Sequence, residues 1–190
     1  MKYLVVIIIF CAFHQSCVIG EKKFTAHPSK QHIISSSINV DGCYLGVYKH
    51  PLDSSEEMGC FIFYDNGVAL LYSPIRVNRD SINNQKWLKN QIQNRISFQD
   101  SFFRRKQPGG YFIDGRNIKV QIFLYVPYGT NSLCTFIGNV LDDSTIRINS
   151  CSSDDKEGFK NCRSNFILRL IKMEKPDSTN QLMNKNWYWK

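Results

Sequence analysis

Cysteine is the residue of widest chemical range in this sequence, and there are seven, at positions 11, 17, 43, 60, 134, 151 and 162. A thiolate can bind soft metals, act as a nucleophile or oxidise to a disulfide, according to its surroundings. No C-x-x-C and no H-x-H occurs, so no metal site is expected from spacing. Cys151 and Cys162 flank the polar stretch SSDDKEGFKN, and Cys43 and Cys60 fall on two neighbouring predicted strands. These are the expected disulfide pairs, Cys43 with Cys60 and Cys151 with Cys162. Cys134 is left as a thiol packed like a small hydrophobe.

Charge is the second chemical resource. The stretch 76–106 holds Arg76, Arg79, Lys86, Lys89, Arg95, Arg104, Arg105 and Lys106 against only Asp80 and Asp100, a local excess of six. The whole chain carries a formal charge of +8, so most of its excess sits in this one stretch. Such a cluster suits anionic lipid headgroups, lipopolysaccharide or an acidic partner, and otherwise serves as a solvated face. Lys86, Lys89, Arg95, Arg104, Arg105 and Lys106 are the candidate contacts. Phe98, Phe102, Phe103, Tyr111 and Phe112 flank them. No nucleic-acid motif accompanies the charge, and nucleic acid is not an expected partner.

Catalytic signatures are missing. His50 lies near Asp53, Glu56 and Glu57 but has no nucleophile placed for it by sequence. Ser153 and Lys156 match S-x-x-K without the companion motifs that give it meaning. Asp154, Asp155 and Glu157 do not have the spacing of a calcium loop. No catalytic residue and no cofactor is expected, and the chain reads as a non-enzymatic protein.

The N-terminus is an address. Lys2 precedes an apolar run from Leu4 to Phe13, too short to span a bilayer and suited to a signal peptide over 1–16. Cleavage before Cys17 would expose a cysteine for lipid modification, and Ser16 beside it favours that outcome over cleavage after Gly20. The polar stretch 17–40, with Pro28 and Ser35-Ser36-Ser37, is expected to be a flexible tether from membrane to domain. The expected partner is thus the membrane, reached through the N-terminal lipid.

The elements that must position these groups are strands. Ile118, Val120, Ile122, Leu124 and Val126 alternate with Lys119, Gln121, Phe123 and Tyr125, the period of a strand with one aliphatic face. Asp114-Gly115 and Asn66-Gly67 are hairpin signals. Eight strands are predicted, at 43–49, 58–64, 67–73, 110–114, 117–126, 134–141, 145–150 and 165–173. Pro74 is expected to end the third, and Pro108-Gly109-Gly110 to close the insertion before the fourth. Leu88, Ile92 and Ile96 at spacing four predict an amphipathic helix between strands three and four, from residue 80 to about 98. Short connections predict antiparallel neighbours in a mainly β fold, an eight-stranded meander that closes into a barrel. The barrel domain is expected over 41–174, with a C-terminal tail at 175–190 whose Trp187-Tyr188-Trp189 must cover an apolar surface.

The Ser-Cys at the end of the signal, FIFYDNGVALLY, GGYFIDGRNIKVQIF, GNVLDDSTIRI and the tail KPDSTNQLMNKNWYW together resemble envelope lipoproteins of Bacteroidota-type bacteria with lipocalin-like barrels. The resemblance covers most of 43–189 and implies fold and address without chemistry. Gly46-Val47-Tyr48 stands where lipocalins carry Gly-x-Trp on the first strand. The functional expectation is a secreted, lipid-anchored envelope protein that binds a small hydrophobic ligand or an acidic partner. The alternatives are a secreted enzyme inhibitor and an enzyme whose site is spread over strand ends.

Overall fold

The computed structural model describes residues 23–28, 37–49, 56–76, 90, 107–124, 132–154, 165–175, 177–180 and 182–189. They contain eight strands: β1 (Gly42–Lys49), β2 (Glu56–Phe63), β3 (Val68–Arg76), β4 (Gln107–Asp114), β5 (Asn117–Leu124), β6 (Ser132–Asp142), β7 (Thr145–Ser153) and β8 (Phe166–Lys172). Each pairs antiparallel with the next, and β1 pairs with β8, so the sheet is a closed barrel with no free edge. A short 3-10 turn spans Asn186–Tyr188, and Lys23 and Asn90 are also helical. Of the helix expected over 80–98 only Asn90 is described, in helical conformation; the signal segment 1–16 and Cys17 lie outside the described residues. Among the described residues no helix is long and apolar enough to cross a membrane.

Alternation fixes which side chains point inward. Ile118, Val120 and Ile122 of β5, Ile146 and Ile148 of β7, and Phe166 and Leu168 of β8 are buried in one cluster. Each such side chain, moved from water to the core, stabilises the fold by about 1.5–3 kcal/mol. Aromatic rings fill the middle of the barrel: Phe63 meets Tyr44 at 5.4 Å and Tyr111 at 4.9 Å, and Phe61 meets Phe136 at 5.2 Å. Their edge-to-face geometry adds about 0.5–1.5 kcal/mol per pair. The outer face carries Lys119, Arg147 and Arg169 on β5, β7 and β8, the reverse of a lipid-embedded barrel with its apolar exterior and polar lumen.

Two boundaries differ from expectation for physical reasons. Strand β3 continues past Pro74 to Arg76 because the register shifts there, Cys60 facing Tyr72 and Met58 facing Ile75. Proline is tolerated in such a bulge, where no ladder hydrogen bond is required of it. Pro108-Gly109-Gly110 is part of β4, paired with Leu70, Ala69 and Val68. A Cβ on Gly110 would run into the carbonyl of Ala26, so glycine here admits a second segment of chain against the strand.

That segment is 23–28, which falls within the stretch expected to be a flexible tether. It is docked on the barrel instead. Phe24 and Ala26 are buried with Leu133 and Tyr188, and the Gln121 side chain holds its backbone. Asn39, in the same expected tether, donates its N–H to Asp143 O at 2.7 Å. The described part of 17–40 is therefore structure, and any loose linker is confined to the remainder. The C-terminal tail forms the other part of the outer layer. Met183 and Trp189 pack over the outward residues of β1–β3, and Tyr188 stacks on Phe24 with ring centres 5.8 Å apart. The tryptophan-tyrosine-tryptophan ending thus covers apolar surface, as its composition requires.

Candidate functional site

An up-and-down barrel sorts its connections between two rims. The ends Phe63 and Val68, Asp114 and Asn117, and Asp142 and Thr145 lie at one rim, joined by tight turns. Gly67 and Gly115 adopt φ of 84° and 58° there, a conformation that glycine enters without steric penalty. Asp142 accepts from Ser144 N and Oγ at 2.9 and 2.8 Å, and these bonds hold its carboxyl below the usual aspartate range. The ends Lys49 and Glu56, Arg76 and Gln107, Leu124 and Ser132, and Ser153 and Phe166 lie at the opposite rim. Every longer connection between strands therefore leaves from that loop rim, including the basic stretch 77–106.

The two rims are built differently inside. At the turn rim, Tyr44 Oη lies 2.7 Å from Asp143 O and 3.0 Å from Asn39 O, and Tyr111 donates to Tyr64 O at 2.8 Å. Phenol hydroxyls thus satisfy the backbone of the turns and plug that end. Burial is the main force pushing both phenols far above the usual tyrosine range. Toward the loop rim the inward positions of β6 and β7 become small: Cys134, Ser132, Cys151 and Ser153. Ser132 Oγ is hydrogen-bonded to Ser153 Oγ and lies 3.3 Å from Asp154 Oδ1, which also accepts Leu133 N–H at 2.6 Å. This polar clasp joins the ends of β6 and β7.

Charge follows the same polarity. The turn rim carries Asp41, Asp65, Asp114, Asp142 and Asp143 together with Arg116, Lys172 and Lys175, the last donating to Val40 O at 2.7 Å and to Phe63 O at 3.4 Å. The segment 76–106, which begins and ends at the loop rim, carries eight basic and two acidic residues. The side chains of Lys86, Lys89, Arg95, Arg104, Arg105 and Lys106 lie outside the described residues, as do His50, Asp155, Glu157, Phe98, Phe102 and Phe103.

The N-terminal segment has a direction. Lys23 O accepts Gln121 Nε2 at 3.3 Å, and the Phe24 ring sits 5.2 Å from Phe123, near the loop-rim end of β5. Gln121 Oε1 accepts Thr25 N at 2.7 Å and Ala26 N at 2.9 Å. Pro28 reaches the Gly67 turn at the other rim. The described segment thus runs from the loop-rim half of β5 toward the turn rim.

The disulfide expectations meet different outcomes. Cys43, Cys60, Cys134 and Cys151 are all buried thiols. The expected Cys43–Cys60 disulfide is not formed. Cys60 faces Leu45 directly, so Cys43 is its diagonal neighbour across the strand pair, a separation that side chains can span without closing a bond. The Cys60 thiol is held well above the usual range, first by its hydrogen bond with Cys43 and then by burial. Cys162, the expected partner of Cys151, lies outside the described residues. No group of three His, Cys, Asp or Glu side chains that could hold a metal is present among them.

Sequence reading missed Gln121, Tyr72 and Met173. Gln121 is one polar residue in an alternating strand, and nothing local marks it as the dock for a segment some ninety-five positions earlier. Tyr72 and Met173 join a sulfur cluster that only the sheet register assembles. Compared with models of protein families, with curated proteins and with solved structures, the chain matches none.

Proposed function

We propose that this chain is a non-enzymatic protein of the bacterial envelope, anchored through a lipid on Cys17, whose loop rim lies against an anionic membrane surface. The observation that carries this reading is that the strands flanking the basic stretch 76–106 end at the loop rim, in whose half of β5 the described N-terminal segment begins at Lys23, while buried phenols close the opposite rim. Lys23 stands six positions after Cys17, so a lipid on Cys17 would hold the barrel within roughly 20 Å of the bilayer. The side turned toward it would be the basic one. Each Lys or Arg near an anionic surface contributes about 1 kcal/mol, so even part of the cluster would orient the barrel. A lipid chain plus a basic patch is also the two-signal combination that makes anchoring stable.

This reading takes the lipocalin-like resemblance as one of architecture. Carriage of a small hydrophobic ligand has less support, because aromatic rings occupy the middle of the barrel and its turn end.

The test is partition of the purified chain, with its leader removed, onto vesicles of neutral lipid and of neutral lipid mixed with an anionic phospholipid. The expected result is preferential binding to the anionic vesicles, weakened by salt and abolished by joint reversal of Lys86, Lys89, Arg104 and Arg105 to glutamate. Equal binding to both vesicles, or full binding by the reversed variant, would remove the reading.

A further inference from the structure

Three sulfur atoms converge on the outer face of the barrel. The Cys43 thiol, on β1, contacts Met173 Sδ at 3.2 Å, and Cys60, on β2, is hydrogen-bonded to Cys43. Met173 follows β8 by one residue, so the three sulfurs straddle the seam where β1 closes onto β8. Cys43 is 0% and Cys60 3% exposed, in one packed apolar cluster with Met58, Tyr64, Leu70, Tyr72 and Met183. Tyr72 faces Cys60 directly in the β2–β3 register, and its buried hydroxyl has no hydrogen-bond partner. A buried phenol without an acceptor is uncommon and calls for a physical reason.

We infer that Cys43, Cys60 and Met173 form a three-coordinate site for a soft monovalent metal ion, Cu(I). Two thiolates and a thioether are the soft donor set that selects this ion. Zinc favours four ligands and readily takes imidazole or carboxylate, and no group of three His, Cys, Asp or Glu side chains that could hold it is present among the described residues. Binding displaces the two thiol protons to solvent. The ion's single positive charge then meets two thiolates, leaving one net negative charge and no change of oxidation state. The Tyr72 hydroxyl is the donor nearest in register to that charge, which accounts for its vacant bond. Because the ligands come from β1, β2 and the exit of β8, the ion would clamp the barrel seam and fix the start of the C-terminal tail. Sequence spacing hides the site, since Cys43 and Met173 stand 130 positions apart.

The experiment titrates the reduced full chain, without oxygen, with Cu(I) buffered by a chromophoric chelator. One tightly held copper per chain is expected, with three sulfur neighbours by X-ray absorption and a raised melting temperature. Cys43→Ala and Cys60→Ala should lose it, and Cys134→Ala combined with Cys151→Ala should keep it. Met173→Leu conserves apolar volume, so weaker copper binding with an unchanged melting temperature of the metal-free chain separates ligation from folding. Copper held as tightly by Cys43→Ala or by Met173→Leu as by the parent overturns the proposal. So does a Cys43–Cys60 disulfide found by mass mapping of the chain isolated from its native compartment.

Discussion

Tyrosine carries much of the polar detail in this core. Tyr44, Tyr64, Tyr72, Tyr111 and Tyr188 all have their phenols pushed far above the ordinary range, in each case chiefly by burial. Four of the five donate to backbone carbonyls: Tyr44 and Tyr111 at the turns, Tyr64 to Asp177 O and Tyr188 to Gly109 O. In the unfolded chain a phenol ionises near pH 10, whereas in the folded chain these five resist ionisation. A raised folded pKa gives stability that is complete below about pH 10 and is lost as pH climbs further, because only the unfolded state releases the protons. Absorbance titration of phenolate should therefore show five of the nine tyrosines ionising late, together with loss of β circular dichroism. Nine tyrosines titrating smoothly near pH 10 with the fold intact would contradict this account of the core.

Among the elements, the strands were legible and their covering was not. All eight strands appear where alternation and the Asn-Gly and Asp-Gly turns placed them, because a two-residue period and a glycine at positive φ are local properties. Pro74 and Pro108-Gly109-Gly110 misled for the same reason, since local preference counts them as breakers. The bulge opposite Gly59 and the close approach of Ala26 to Gly110 are tertiary facts. The docking of 23–28 was hidden because its composition is that of a linker, and its partner Gln121 lies far along the chain. Gln121 is 3% exposed and uses both ends of its amide on this segment and on Thr135. Gln121→Leu should leave the amides of Thr25 and Ala26 without acceptors, costing about 1–3 kcal/mol for each that stays buried. The expected outcome is release of the segment, seen as fast hydrogen exchange at those two amides while β5 and β6 remain protected. Unchanged protection of Thr25 and Ala26 would show that Phe24 and its ring contacts hold the segment alone.

At the scale of the whole molecule the barrel has two unlike ends. The turn rim has short connections and is sealed by phenol hydroxyls; the strands that flank the basic stretch 76–106 end at the loop rim. Composition and spacing disclosed the basic stretch, but only the antiparallel order of the strands puts its two ends at the rim whose half of β5 holds Lys23. The proposed membrane role rests on that coincidence, so orientation tests it most directly. A fluorophore is placed at Asn131, beside the first residue of β6 at the loop rim, or at Arg116 in the turn of the opposite rim. Each labelled chain is bound to anionic vesicles whose headgroups carry a nitroxide quencher. Strong quenching at position 131 with little at 116 is the expected result. Equal quenching at the two positions, or stronger quenching at 116, would contradict the orientation and with it the proposed function.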